Sequence, residues 1–279
     1  MEIPFHDFGG NDNGRLLHFA HPNAYTPACF QQLINPLLPH YHVRSVVHRP
    51  LWSGAKLADV TSWERMADDM IQFFDEQGMA NMIGVGHSMG AVMTMLAAVK
   101  RPSLFTHLIL IEPVFLPPQI VELSRTHPET FEQIPIVKNA RKRRCQWPNR
   151  QAAFDHFRGK KAFRYWPDQS LWDYVNYGMH DIDEGVTLTY TREWEAYCYT
   201  LAAHSGWEVF PQVQQPLLVI RGAESDALWP ESWELLQQLQ PLAQFRQFEE
   251  AGHMIVMERP LLMADLILNF VQTTQQESD

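Results

Sequence analysis

Three cysteines in 279 residues are too few and too scattered to build a disulfide framework: Cys29, Cys145 and Cys198 share no C-x-x-C spacing, which also leaves no zinc site of that type. Positive charge is short as well. Lys and Arg total 22 against 32 Asp and Glu, and the net charge of −10 repels nucleic acid and anionic membranes. A small-molecule substrate is therefore the expected partner, with nothing to indicate an oligomeric state. No run approaches the roughly 18 apolar residues of a membrane span, and the opening MEIPFHDFGG lacks a basic stretch followed by an apolar one. A cytoplasmic protein is expected. Thirteen histidines could suggest a metal, but no H-E-x-x-H or other close ligand spacing occurs, so a site without metal or cofactor is expected. There is no internal repeat and no low-complexity segment. What is present is the composition of an ordinary enzyme-sized globular chain, 46% hydrophobic and 19% charged. A chain of this length can bury roughly three quarters of the surface it exposes when unfolded.

Short apolar runs alternate with helical periodicity along the N-terminal third, the rhythm of parallel strands joined by crossover helices. Ile3 to Phe8 and Leu16 to Ala20 read as two strands joined by a tight Gly- and Asn-rich loop. A helix follows at Pro27 to Leu38 and a strand at His42 to His48. Trp63 to Gln77 reads as a helix with a Thr61/Glu64 capping box, and Met66, Met70, Phe73 and Phe74 recur at helical spacing. Met82 to Val85 and His107 to Glu112 are expected strands on either side of a helix at Val92 to Lys100. After Val114 the rhythm stops until Leu217 to Arg221, a gap of roughly 100 residues where a crossover needs about a dozen. Residues 114–213 are thus expected to be an inserted helical subdomain, with helices near Ile134 to Trp147, Arg150 to Phe157, Ser170 to Tyr177 and Arg192 to His204. A helix at Glu231 to Leu239, a strand at Gln244 to Phe248 and a helix at Pro260 to Gln272 complete the core formed by 1–113 and 214–279. Gln275 to Asp279 reads as a frayed tail.

Gly86-His87-Ser88-Met89-Gly90 is a G-x-S-x-G sequence between an expected strand and an expected helix, the setting a nucleophile elbow requires. Its glycines suit a strained turn where strand and helix backbones come close. A serine hydroxyl needs a base to take its proton, and the base needs a carboxylate to orient it. Downstream, Ala223-Glu224-Ser225-Asp226 follows an apolar strand, and Glu250-Ala251-Gly252-His253 follows the next. Ser88, Asp226 and His253 then each lie past the carboxyl end of a strand, where open α/β sheets place their sites.

On these motifs the chain resembles cap-bearing serine hydrolases of the α/β-hydrolase fold, from Leu16-Leu17-His18-Phe19-Ala20-His21 to Met257-Glu258-Arg259-Pro260. The resemblance implies a mostly parallel central sheet with helices on both faces and an inserted helical cap. It also implies Ser88 as nucleophile, His253 as base and Asp226 as acid. Glu112, after the strand before the cap, and Glu224 compete for the acid's role. Met89 supplies one oxyanion amide. The other depends on register, because His21-Pro22-Asn23-Ala24-Tyr25 replaces the usual His-Gly: Asn23-Ala24 in its place gives Tyr25, and His21-Pro22 gives Asn23. The expected reaction is hydrolysis of a small to medium ester with a hydrophobic part, through an acyl-enzyme. A carbon-carbon bond hydrolase, a thioesterase, an amidase and a non-catalytic ligand receptor are the alternatives on the same frame.

Other residues have plainer readings. His87 is expected to pack beneath the elbow rather than act as a second base. The basic run Lys138, Arg141, Lys142, Arg143 and Arg144 reads as a solvated face, except that Arg144, seven residues after Val137, should turn inward and pair with an acid. Trp147 and the tyrosines of the insertion fill its core. Trp52, Trp166, Trp172 and Trp194 are the candidate pocket residues, since ligand pockets are mostly apolar.

Overall fold

The computed structural model describes residues 2–12, 14–201 and 204–276. Its strands are β1 (Phe5–Gly10), β2 (Arg15–Ala20), β3 (Tyr41–Val46), β4 (Met82–His87), β5 (Phe105–Ile111), β6 (Gln146–Trp147), β7 (Met179–Ile182), β8 (Gly185–Leu188), β9 (Leu217–Gly222) and β10 (Gln244–Phe248). Seven of them form one sheet in the order β1-β3-β2-β4-β5-β9-β10, parallel throughout except for β1. The central strands are apolar on both faces, as a sheet covered from both sides requires. Leu17, Phe19, Ile83, Val85, Ile109, Ile111, Leu218 and Ile220 face one layer, and Ala20, Met82, Leu108, Leu110, Leu217 and Val219 the other.

Helices α1 (Trp63–Glu76) and α2 (Met89–Lys100) cover the second face through Met66, Met70, Phe73, Phe74 and Met93. The first face is covered by the Pro27 to Leu37 segment and by the last long helix. Between β5 and β9 lie α3 (Pro118–Thr126), α4 (Pro135–Lys142), α5 (Arg150–Arg158), α6 (Asp168–Tyr177) and α7 (Arg192–Thr200); α8 (Pro230–Leu239) and α9 (Pro260–Gln276) follow.

Four local expectations are revised. β1 and β2 are not a hairpin: β3 lies between them, pairing antiparallel with β1 and parallel with β2, so their loop joins strands one place apart. Helix α1 is capped by Ser62, whose side chain accepts the Arg65 N–H, and not by Thr61. The insertion is not wholly helical, since β6, β8 and β7 form a small antiparallel sheet. Val186 and Leu188 are buried while Thr187 between them is not, a two-residue alternation that suits a strand. The closing turn needs Gly185, at φ 137°, where a Cβ would stand 2.1 Å from the Trp147 carbonyl oxygen. Finally, α9 continues to Gln276, which takes in the start of the expected frayed tail, while 277–279 lie outside the described residues. Asn13 of the first loop and Ala202 and Ala203 of the expected helix to His204 also lie outside them.

Candidate active site

β4 delivers Ser88 to the carboxyl edge of the sheet. The residue has φ 57° and ψ −122°, and its N–H is held by the Ile111 carbonyl at 3.0 Å. Side chains at the two flanking positions would prevent this turn: a Cβ on Gly86 would sit 2.5 Å from the Gly90 carbonyl oxygen, and one on Gly90 2.1 Å from that of Ala20. Ser88 is 7% exposed, and its Oγ lies 2.9 Å from His253 Nε2.

On the other side of the imidazole, Nδ1 is 3.0 Å from Glu112 Oε2. Glu112 is completely buried and has φ 50°, directly after β5, the strand beside β4. The end of β9 supplies donors to it: the Gly222 N–H reaches Oε1 at 2.5 Å, and the Ser225 hydroxyl donates to Oε2. Three donors around one carboxylate fix its direction. With the Nδ1 proton facing Glu112, His253 presents an unprotonated Nε2 to the serine hydroxyl.

Asp226 does not take this place. It is exposed, and its backbone oxygen accepts a hydrogen bond from Trp229 Nε1 at 3.0 Å. Glu224 is exposed as well, bound to Arg164 at 2.5 Å and to the Tyr165 hydroxyl at 3.2 Å. Spacing after β9 points to an acid there, whereas the fold uses that turn to bind Glu112, which follows β5.

Two further groups secure His253, and the sequence reading missed both roles. The buried His87 ring donates from Nε2 to the His253 carbonyl at 2.9 Å. Burial, and then the neighbouring His253, hold His87 well below the ordinary histidine range. Glu258 accepts the Gly252 N–H at 2.8 Å, one residue before the base. Burial raises the Glu258 carboxyl against the pull of that hydrogen bond.

The segment after β2 meets the start of α2, where the absent Gly90 side chain leaves room for it. Ala24 within it has φ 72°. Among the described residues, no protein acceptor is found for the backbone N–H of Asn23, Tyr25 or Met89. Asn23 Nδ2 donates to the Glu195 carbonyl at 3.0 Å, linking this segment to α7. Glu195 is bound at 2.6 Å by Arg143, whose other nitrogen donates to the Tyr174 hydroxyl at 2.7 Å. Burial disfavours the charge on Arg143, but Tyr174 and Glu195 outweigh it and hold the guanidinium protonated. The inward arginine is thus Arg143 and not Arg144. α4 stops at Lys142 and Arg143 is extended, so the seven-residue spacing from Val137 no longer counts helical turns. Arg144 is exposed and lies over the Trp147 ring.

The four candidate tryptophans separate. Trp166 packs near Tyr25, ring centroids 6.3 Å apart. Trp172 stacks on Phe154 at 4.3 Å, inside the insertion. Trp52 lies under the Arg49 guanidinium and donates to the Val47 carbonyl at 2.6 Å, and Trp194 packs against Tyr197.

Comparison with known proteins agrees with this architecture. A family model described as "Alpha/beta hydrolase family" matches residues 19–266. The "Uncharacterized hydrolase YugF" of Bacillus subtilis (strain 168) is 22% identical over 272 residues, covering 91% of this chain and 93% of its own. E-2-(acetamidomethylene)succinate hydrolase superposes with a TM-score of 0.80 at 18% identity, over 97% of this chain and 95% of that one. A thermophilic esterase from Thermogutta terrifontis gives 0.67 at 19% identity, over 97% and 93%.

Proposed function

Since the chain belongs to the α/β-hydrolase family, we propose that it is a serine hydrolase acting on a small to medium carboxylic ester with a hydrophobic part. The observation that carries the reading is the unbroken hydrogen-bonded chain from Ser88 Oγ through His253 to Glu112. Ser88 Oγ attacks the ester carbonyl carbon while His253 Nε2 takes its proton. The carbonyl electrons move onto oxygen, and the charge is met by the Met89 N–H and a second amide. Collapse of the tetrahedral species breaks the ester C–O bond, and His253 returns the proton to the leaving alcohol. Water then attacks the acyl-serine by the same route and releases the acid. Glu112 keeps the imidazole in the required tautomer and stabilises its protonated form. The second amide is assigned to Tyr25, with Asn23-Ala24 standing where relatives have His-Gly. The positive φ of Ala24, a conformation glycine adopts readily, supports that register.

Residues 114–213 form the cap, and Trp166 with Tyr25 borders the acyl pocket. A panel of matched esters, thioesters, amides and carbon-carbon cleavage substrates tests the reading. Highest kcat/KM on esters is expected, and a preference for any other class would replace the substrate while leaving the triad. No turnover on any class, with Ser88 untouched by a fluorophosphonate, would favour the non-catalytic receptor.

A further inference from the structure

β2 and β3 pair only from Arg15 and Tyr41 to His18 and Arg44. Beyond that the strands part, and the N–H groups of Val46 and His48 have no carbonyl across the gap. Buried backbone donors need partners, and here side chains provide them. His18 Nε2 accepts from Val46 and His21 Nε2 from His48, both at 3.1 Å, while the Ser45 hydroxyl donates to the Phe19 carbonyl at 2.5 Å.

The imidazole protons of His21 and His48 are directed at the segment that follows. His48 Nε2–H donates to the His21 carbonyl at 2.9 Å, and His21 Nδ1–H to the Pro22 carbonyl at 3.0 Å. Each ring nitrogen of His21 thus has one role, acceptor at Nε2 and donor at Nδ1. The two rings stack with centroids 3.7 Å apart and are 0% and 2% exposed. Burial keeps both neutral, His21 well below the ordinary range and His48 down to about 4, and acceptance at His21 Nε2 requires that ring to be neutral. Because a peptide group is planar, fixing the Pro22 carbonyl also fixes the direction of the Asn23 N–H. The same pair therefore sets the path of the chain into Asn23, Ala24 and Tyr25. On its other side this segment is held by the bond from Asn23 to the Glu195 carbonyl.

We infer that His48, acting with His21, is the positioning residue of the oxyanion hole: the imidazole pair orients a loop that in many relatives is shaped by His-Gly. The inference rests on the serine-hydrolase reading above. It is tested in the full chain with an oxygen ester and its thionoester, since a thiocarbonyl sulfur accepts hydrogen bonds poorly and the ratio of the two rates reports on the hole. His48→Phe keeps a flat buried ring and removes the donor, and His48→Gln restores a neutral donor. His48→Phe, folded by circular dichroism, should lose about 10²-fold in kcat, with KM within about twofold and a lower ester-to-thionoester ratio. His48→Gln should recover most of both. If His48→Phe does not fold, His48→Asn, one methylene too short to reach the His21 carbonyl, is judged by the same criteria. A folded variant with unchanged kcat, or with reduced kcat and an unaltered ratio, would overturn the inference alone. A wild-type protein that neither turns over ester nor labels at Ser88 would overturn the hydrolase reading and the inference with it.

Discussion

Replacing Glu112 by Gln separates the site geometry from the acid expected by spacing. Glu112 accepts three hydrogen bonds, from the Gly222 N–H, the Ser225 hydroxyl and His253 Nδ1. A glutamine can keep one oxygen toward Gly222, but its NH₂ then faces Ser225 and His253. The serine hydroxyl can rotate to accept. The imidazole can accept only by moving its proton to Nε2, which then cannot take the proton of Ser88. A fixed wrong tautomer costs on the order of 10⁴ in rate in the serine proteases, about 5 kcal/mol of transition-state stabilisation. Glu112→Gln should approach that loss in kcat/KM on a chromogenic ester. Its thermal midpoint should fall by only a few degrees, because the side chain keeps its volume. The companion Asp226→Asn should stay within about twofold of wild type, its carboxylate being exposed and taking no part in the hydrogen bonds of the His253 ring. A Glu112→Gln enzyme with a tenth or more of wild-type activity, or an Asp226→Asn enzyme reduced about 10⁴-fold, would refute the reasoning.

Burial lowers His18 to about 3 and His48 to about 4, so between pH ~6.5 and ~4 the unfolded chain binds more protons than the folded one and stability falls as acid is added. For His48 alone the span from 6.5 to about 4 amounts to roughly 3 kcal/mol, and urea unfolding should show a shallower pH slope in His48→Phe; equal slopes would contradict it. Arg143→Met leaves Glu195 buried without its partner and should cost roughly 3 kcal/mol in the same assay, much of it regained in Arg143→Met/Glu195→Met. Failure of the double variant to recover would mean that the pair is not the source. Trp166→Ala should change relative rates among short-chain, long-chain and aromatic esters by about 1 to 3 kcal/mol. Trp172→Ala, stacked on Phe154, should lose stability and keep the ranking, and the opposite outcome would move the pocket into the insertion's core.

The legible parts of the sequence were those governed by local rules. Apolar runs located the sheet strands to within a few residues, and G-x-S-x-G placed Ser88 on a strained strand-to-helix turn, because both signals come from neighbours in the chain. The carboxylate partner of His253 was not legible that way. Glu112 and Asp226 both follow strands, and what separates them is that β5 lies beside β4 and that Gly222 and Ser225 of the next strand end turn their donors on Glu112. Such contacts span more than a hundred residues. The insertion failed for another reason: its strands are two to four residues long, too short for alternation to stand out among helical stretches. Arg144 differs from its expected place because helical spacing does not hold two residues past the end of α4. His18 and His21 stand in a motif, but nothing local links them to His48, since the task of the three arises only where the ends of β2 and β3 diverge.

The central claim is that Ser88, activated by His253, forms a covalent bond to the reacting centre. Intact-mass and peptide mass spectrometry after treatment with a fluorophosphonate measures this directly. The account predicts one adduct per chain, located on Ser88, absent in Ser88→Ala, and strongly slowed in His253→Ala, while Ser88→Ala keeps the wild-type unfolding midpoint. An unmodified Ser88 in the folded wild-type protein, or equal ester turnover by Ser88→Ala, would contradict it.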